Sequence, residues 1–376
     1  MMDLLIQNGT VVDPSQQIEG VRDIGVNRGK IVGLFEPGMI PAASAGERID
    51  ASGCLVTPGL VDLHVHVFEH RTPLGVHADL IGVAQGVTTV VDAGSTGSRD
   101  FPSFLTEVVQ ANQTQVLLWI NIASQGLCDG LSELVDLSQL KPEETEELIG
   151  QYPLIRGIKA RISSSVVKES GLKPLLIAKE LARKVKLPLM VHIGNAPPPL
   201  GEILDLLDGG DVVTHAFHGK PGGIFDGNGE LIPEANRALK RGVLFDVGHG
   251  SSSFSFRTMK RAKKLQIPPH TISTDLYRQN MDGPVVSLVT TMNKFLALGF
   301  SLEEVVKAST WMPAEVLGLA DEIGTLKELT IADLSILKMI SHPIPLFDSE
   351  NEELVGNPQL HALYTIKSGK VWKHDG

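Results

Sequence analysis

Two histidines one residue apart, His64 and His66, stand near the end of an apolar run that predicts a buried β-strand. Because side chains alternate between the two faces of a strand, both imidazoles point the same way. A single histidine on a strand is more often a packed core residue. Two histidines on one face, near the carboxyl end of a strand, favour metal binding instead, because imidazole nitrogen is a common zinc ligand.

Further polar side chains stand near the ends of other predicted strands. His192, His215 and Asp275 occupy these positions in the fifth, sixth and eighth strands. Each of them alone could simply cap a loop. If the strands are parallel neighbours, however, the three side chains converge on one edge of the sheet. Their nitrogen and oxygen atoms then match the ligands of a catalytic, zinc-type site.

Lys159 and Arg161 share one face of a segment whose apolar residues, Ile158, Ala160 and Ile162, share the other. If the apolar face packs on helices, both cations point into the interior. One interpretation is a lysine whose long stem is buried and whose ammonium is paired with an acid. The other is a lysine that burial makes neutral and CO₂ carboxylates, because two divalent cations would repel an unmodified ammonium.

Eight apolar runs of strand type follow one another from residue 60 onward, separated by helical segments. Such continuous apolar runs are typical of parallel strands that are buried on both faces. No Gly-x-Gly-x-x-Gly turn follows the first run, so we predict an α/β fold of the (β/α)₈ TIM-barrel type, with its active site at the carboxyl ends of the strands. The predicted strands are residues 60–67, 87–93, 116–122, 155–162, 187–193, 212–217, 243–247 and 270–275.

Both ends of the chain contain shorter strands that are broken by turns, such as Asn8-Gly9 and Asp13-Pro14. We predict that residues 1–58 and 318–376 join in one small β-sandwich domain and that residues 59–317 form the catalytic barrel. The alternative for the C-terminal part is a disordered tail.

The composition excludes several classes of protein. The formal net charge of −11 argues against a nucleic-acid or anionic-membrane partner. Two cysteines are too few for a disulfide framework or a cysteine-rich zinc site. The sequence has neither a signal peptide pattern nor an apolar segment of membrane-spanning length. We therefore expect a soluble cytoplasmic homo-oligomer that acts on a small molecule.

The chain resembles the amidohydrolase superfamily at six metal-site positions: His64, His66, Lys159, His192, His215 and Asp275. Residues 7–14 and 57–62 are also similar to the branch that contains dihydroorotases, hydantoinases and deacetylases. The resemblance implies two divalent ions, zinc above all. It implies that His64, His66 and Asp275 hold the buried ion. His192 and His215 would hold the outer ion, with Lys159, carboxylated by CO₂, as the bridge.

The same resemblance implies that Asp275 orients a hydroxide held by the ions, takes its proton and passes it to the leaving group. At two positions this chain differs from other members of the superfamily, and these differences limit the reactions that it is expected to catalyse. Dihydroorotases have an arginine where this chain has Phe68, and mononuclear deaminases have a glutamate where it has Asn195. Both departures favour hydrolysis of an amide or ester bond in a small acylated substrate, as in a deacetylase.

The net positive charge expected at the metal site predicts a carboxylate on the substrate. Arg161 or Arg278 could bind this carboxylate, and Arg161 could alternatively neutralise a buried acid. His218, His249 and Tyr277 are further candidate substrate contacts, although His218 could equally lie in a solvated loop. The alternative functions are a cyclic amidohydrolase of the dihydroorotase or hydantoinase type and an interaction scaffold without activity. The complete ligand set argues against the scaffold.

Overall fold

The computed structural model describes residues 1–374 and shows a mixed α/β protein with two large β-sheets and one small hairpin. The strands are β1 (Met2–Asp13), β2 (Ile18–Asn27), β3 (Lys30–Phe35), β4 (Ala45–Asp50), β5 (Leu55–Pro58), β6 (Leu60–Val65), β7 (Val87–Ala93), β8 (Gln115–Asn121), β9 (Ile155–Ile162), β10 (Leu189–Ile193), β11 (Val212–Thr214), β12 (Leu244–Phe245), β13 (Leu334–Ile340), β14 (Ile344–Phe347), β15 (Glu353–Gly356), β16 (Gln359–Lys367) and β17 (Lys370–Lys373).

The α-helices are α1 (Ala78–Ile81), α2 (Phe101–Phe104), α3 (Pro142–Gln151), α4 (Ser164–Val167), α5 (Lys173–Val185), α6 (Leu200–Asp205), α7 (Pro233–Arg241), α8 (Phe256–Lys264), α9 (Leu288–Ala297), α10 (Leu302–Ser309) and α11 (Trp311–Val316). Among residues 1–374, no helix combines the length and the apolar composition needed to cross a membrane.

Strands from both chain ends share one mixed sheet of eight strands. Its order is β17-β16-β13-β5-β1-β2-β3, and β4 also pairs with β1. The N-terminal strand β5 runs antiparallel to the C-terminal strand β13, with Val56 opposite Ile336. These two residues pack with Val11 in a core of their own. The boundaries of this unit, 1–58 and 318–376, stay a prediction.

The second sheet contains seven parallel strands, β6 to β12, in sequential order, and it is curled. All seven residues of β7 are buried, as the continuous apolar run predicts. On β9, Ile158 and Ala160 belong to the same core as Leu175 and Leu181 of helix α5. The opposite face of β9 therefore turns Lys159 away from the helices.

Residues 270–276 link the two edge strands of this sheet. Thr271 forms an isolated parallel bridge to Asp246, and Leu276 forms another to Val65. The expected regular strand over residues 270–275 is nevertheless wrong, because this segment contains only isolated bridges. Asp275 has a φ of 48°, which lies outside the extended region that a strand requires.

The sixth and seventh strands are shorter than predicted for a similar reason. Strand β11 ends at Thr214, and the next residue, His215, has a φ of 66°. Strand β12 contains only two residues, and Gly248 follows it with a φ of 47°. Left-handed backbone at His215 ends the extended conformation directly after β11, whereas Gly248 lies three residues beyond the end of β12. The candidate ligands His215 and Asp275 therefore lie beyond the regular strands.

Candidate active site

The carboxyl edge of the parallel sheet brings His64, His66 and Asp275 together. The Nε2 atoms of the two histidines lie 3.4 and 3.3 Å from Oδ1 of Asp275. One ligand atom from each of the three residues lies within 4.8 Å of the others. Both histidines are buried, and Asp275 is largely so. Two imidazole nitrogens and one carboxylate oxygen are a donor set that suits a divalent transition metal.

The orientation of His64 is fixed by hydrogen bonds behind it. Its Nδ1 lies 2.8 Å from Oγ1 of Thr214, and this hydroxyl donates to Oδ2 of Asp246 at 2.7 Å. The threonine proton is thus committed to Asp246, so we infer that Nδ1 of His64 carries a proton and donates it to Thr214. The lone pair of Nε2 then faces the site, as metal ligation requires.

Two other histidines are held in a comparable way. His215 places Nδ1 2.6 Å from the carbonyl oxygen of Gly248, which can only accept a hydrogen bond, so its Nε2 also keeps a lone pair. His66 places Nδ1 2.9 Å from Oγ of Ser95. The backbone N–H of Ser95 in turn donates to Asp92 at 2.7 Å. Partners behind the histidines thus leave the Nε2 atoms available.

His192 and His215 form the second half of the histidine cluster. Their ring centroids are 4.5 Å apart, and the rings of His215 and His64 are 5.2 Å apart. Burial lowers the pKa of His64 and His192 well below their usual range and lowers the pKa of His215 to about 3. All three imidazoles are therefore neutral at pH 7, which is the form that binds a metal ion.

Lys159 lies among these ligands and is 1% exposed. Its Nζ is 3.3 Å from Nε2 of His64 and 3.2 Å from Sδ of Met190. Burial lowers the pKa of this amine to about 7, although Asp275 opposes the effect. The neutral amine is thus well populated at neutral pH, which removes the charge that would repel metal ions.

Left-handed backbone at Asp275 and at the neighbouring Gly250 positions the carboxylate of Asp275. Asp275 has a φ of 48°, and its backbone N–H donates a 2.7 Å hydrogen bond to the carbonyl oxygen of His64. Gly250, with a φ of 50°, packs directly against its carboxylate, because a Cβ there would lie 2.5 Å from Oδ2. Non-glycine residues in this region are rare and gather at functional sites.

A cavity of about 170 Å³ opens over these residues. Of the predicted ligands, His64, His66, Lys159, His192 and Asp275 line it. Of the predicted substrate contacts, Arg161 and Tyr277 line it as well.

Arg161 is held by a carboxylate. Its Nη1 lies 3.1 Å from Oε2 of Glu133, whose side chain is fully buried. Arg161 thus pairs with a buried acid, which is the alternative to carboxylate binding that the sequence leaves open for this residue.

The other three predicted contacts, His218, His249 and Arg278, are not part of the lining of this cavity. His218 is 3% exposed, and its Nδ1 accepts a hydrogen bond from the backbone N–H of Lys220 at 3.1 Å. His249 is fully buried and lies 2.8 Å from Nζ of Lys294 through its Nε2. The guanidinium of Arg278 donates to the carbonyl oxygen of Gly75 at 3.2 Å.

Comparisons with known proteins decide the family. Residues 232–371 match the amidohydrolase family. The chain is 37% identical over 376 residues to a deacetylase of Enterococcus faecalis, and the alignment covers 98% of this chain and 99% of the relative. The chain belongs to the amidohydrolase family.

Two solved structures are similar to this amidohydrolase over its whole length. One, described as an adenine deaminase, is 36% identical with a TM-score of 0.93 and covers 100% of both chains. The other, described as a dihydroorotase, is 31% identical with a TM-score of 0.90 and covers 99% of both chains. The protein is thus a hydrolase of the deacetylase and dihydroorotase-like branch. The family generally uses a divalent metal, and the group of His64, His66 and Asp275 suits one.

Local sequence patterns carry no signal for several residues that shape this site. Glu133 lies in a polar loop, 28 residues before its partner Arg161. Lys294 lies within helix α9, where a lysine usually marks the solvated face. The hairpin β14–β15 was not predicted, yet Ser349 at its turn donates to the carbonyl oxygen of Gly250 at 2.9 Å. All three depend on contacts between distant parts of the chain.

Proposed function

We propose that this amidohydrolase removes the acyl group from a small substrate that bears a carboxylate, by hydrolysis of an amide or ester bond, and that it uses two zinc ions. The observation that carries the proposal is the convergence of candidate ligands: residues from four segments line one cavity, and His215 from a fifth segment packs against His192. We also propose that residues 270–276 complete a closed (β/α)₈ barrel. Their bridges to Val65 and Asp246 support this.

The residues present fit two metal ions. His64, His66 and Asp275 would hold the buried ion, and His192 and His215 would hold the outer one. The fit is supported by the hydrogen bonds at Nδ1 of His64 and His215, which leave the Nε2 lone pair of each ring available to a metal ion. When bound, the divalent ions would lower the pKa of a water molecule to about 7 and polarise the substrate carbonyl.

Lys159 would bridge the two ions as a carbamate. Carboxylation joins its nitrogen to the carbon of CO₂ and releases one proton, so it requires the neutral amine. The burial of this side chain and its pKa of about 7 favour that form. The product is an anion, which two divalent ions attract, whereas they would repel the ammonium.

Asp275 would act as the general base and acid. Its carboxylate accepts a proton from the attacking water and returns that proton to the leaving nitrogen or oxygen as the bond to the acyl carbon breaks. Its contact with Gly250 and its backbone bond to His64 keep the carboxylate beside the two histidines. Arg161 and Tyr277, which line the cavity, would contact the substrate.

Cyclic amide hydrolysis is the second candidate, because a dihydroorotase is 31% identical over nearly the whole chain. Against it, Phe68 is fully buried against Phe104, with the ring centroids 5.3 Å apart, and offers no charge to a dihydroorotate-like substrate. Deamination of adenine is disfavoured by two residues of this chain. Asn195 supplies no carboxylate, and Lys159 stands in the site.

The test combines metal analysis with a substrate screen. We expect two equivalents of zinc per chain and hydrolysis of N-acyl amino acids or acyloxy acids in preference to dihydroorotate and adenine. Lys159→Ala should lose activity, and a short carboxylic acid should restore part of it by taking the place of the carbamate. Protein that purifies without stoichiometric metal, or that prefers dihydroorotate, would contradict the proposal.

A further inference from the structure

Three basic side chains, those of Lys159, Arg161 and Lys220, line the cavity, and only Lys220 is neither a candidate metal ligand nor paired with a carboxylate among residues 1–374. Lys159 lies deepest, among the histidines. The guanidinium of Arg161 shares its charge with the buried carboxylate of Glu133 at 3.1 Å. Among residues 1–374, the ammonium of Lys220 donates to the hydroxyl of Ser252 at 3.3 Å and forms no ion pair; burial lowers its pKa, and the charge of Asp275 opposes this effect.

The surroundings of Lys220 suit an anion. Ser251, Ser252 and Ser253 line the cavity next to it, together with Tyr277. The hydroxyl of Tyr277 donates to Oγ of Ser251 at 2.6 Å, which leaves the serine proton free to point at a ligand. One ammonium and several hydroxyl donors can satisfy the oxygens of a single carboxylate. The volume of about 170 Å³ restricts the ligand to a small molecule.

His218 fixes the backbone from which Lys220 extends. Its Nδ1 accepts the backbone N–H of Lys220, and burial lowers the pKa of the imidazole to about 4, so the ring stays neutral and can accept this bond. The hydroxyl of Thr258 on helix α8 donates to the carbonyl oxygen of His218 at 3.2 Å. The turn is therefore anchored at two points, while the lysine side chain is held only by a hydroxyl.

We propose that Lys220 is the residue that selects a carboxylate-bearing substrate, by binding that carboxylate in the mouth of the cavity, with His218 as a positioning residue. This inference rests on the proposed acyl-hydrolase function and replaces the arginines as the anion-binding group. Arg161 then orients the substrate through the guanidinium nitrogens that Glu133 leaves free. Arg278 has no part in binding, because it contacts Gly75 outside the cavity.

The experiment compares an acidic and a neutral substrate of equal size, such as N-acetylglycine and N-acetylglycinamide. In Lys220→Met, kcat/KM for the acid should fall about 10–100-fold, as expected for the loss of one charge-assisted hydrogen bond. The value for the neutral amide should stay within about twofold of the wild type. Lys220→Arg should restore most of the preference for the acid. Lys264→Met, an exposed lysine on helix α8, is the matched control and should change neither value.

Calorimetric binding of the same two compounds to the metal-loaded enzyme separates this inference from the proposed function. If the wild type hydrolyses neither compound but binds the acid more tightly in a way that depends on Lys220, the anion site stands and the acyl-hydrolase proposal falls. If acylated substrates are hydrolysed and Lys220→Met affects acid and amide equally, or affects neither, the role of Lys220 is refuted while the proposed function stands.

Discussion

Gly250→Ala would place a methyl group against the carboxylate of Asp275. A Cβ at this position would lie 2.5 Å from Oδ2, whereas ordinary contacts begin at 3.4 Å. The carboxylate or the turn must therefore move by about 0.9 Å, and a displacement of about 1 Å in an active site can cost about 100-fold in rate. We expect kcat/KM to fall by about 10–100-fold.

The substitution also has a backbone cost that needs a control. Gly250 has a φ of 50°, and an L-residue in the left-handed region loses about 1–2 kcal/mol of stability. Gly53 has a φ of 70°, but a Cβ there would meet nothing within 4 Å. Gly53→Ala should therefore lose a similar amount of stability without any change in turnover.

Three measurements on both variants test this reasoning: denaturant unfolding, bound metal and kcat/KM with the best acylated substrate. Both variants should show the loss of stability, and only Gly250→Ala should show the loss of rate. If Gly250→Ala keeps the wild-type kcat/KM and loses no more stability than Gly53→Ala, the contact with Asp275 does not position the carboxylate.

Three further substitutions test other parts of the site. Asp275→Asn should lower kcat by about 10²–10⁴-fold while elemental analysis still finds bound metal, and near-normal turnover would exclude a proton-transfer role. Thr214→Val removes the hydroxyl between His64 and Asp246, so metal affinity measured against a chelator should fall about 10–100-fold; an unchanged affinity would show that this link is dispensable. Burial lowers the pKa of Lys294 from 10.5 to about 7 in the folded protein. Between pH 7 and pH 10.5 the unfolded chain therefore binds more protons at this residue than the folded chain does, so the free energy of unfolding of the wild type increases as the pH rises through this range. Lys294→Met should remove that gain, which thermal unfolding at pH 7 and pH 10 measures; identical pH profiles in both proteins would contradict it.

Local patterns were sufficient to predict the buried strands of the parallel sheet. The predicted bounds of β7 and β9 match the structure, because continuous apolar runs and strict alternation are properties of single segments. The inward face of Lys159 and Arg161 followed from the same alternation. These features also indicated which residues would meet at the carboxyl edge.

Features that depend on backbone conformation or on distant partners could not be predicted. Residue type does not predict the positive φ values of His215 and Asp275. The predicted strands over residues 212–217 and 270–275 are therefore longer than the extended segments in the structure. The position of Arg161 in the sequence predicts an inward-facing cation, but it does not reveal that the carboxylate of Glu133, 28 residues away, pairs with it. The exposed position of Arg278 and the position of Lys220 in the cavity lining depend on the conformation of loops, which local sequence patterns do not predict.

The sheet shared by both chain ends also constrains the order of events during synthesis. Strand β5 pairs with β13, and this pairing joins residues that are far apart in sequence: Val56 and Ile336 are 280 positions apart (336 − 56). At about 5–20 residues per second, translation takes roughly 14–56 s to cover this separation. During that time the N-terminal strands lack the partner strand β13, while the parallel sheet is still being synthesised. The nascent chain is thus most exposed to misassociation just before its last strands leave the ribosome.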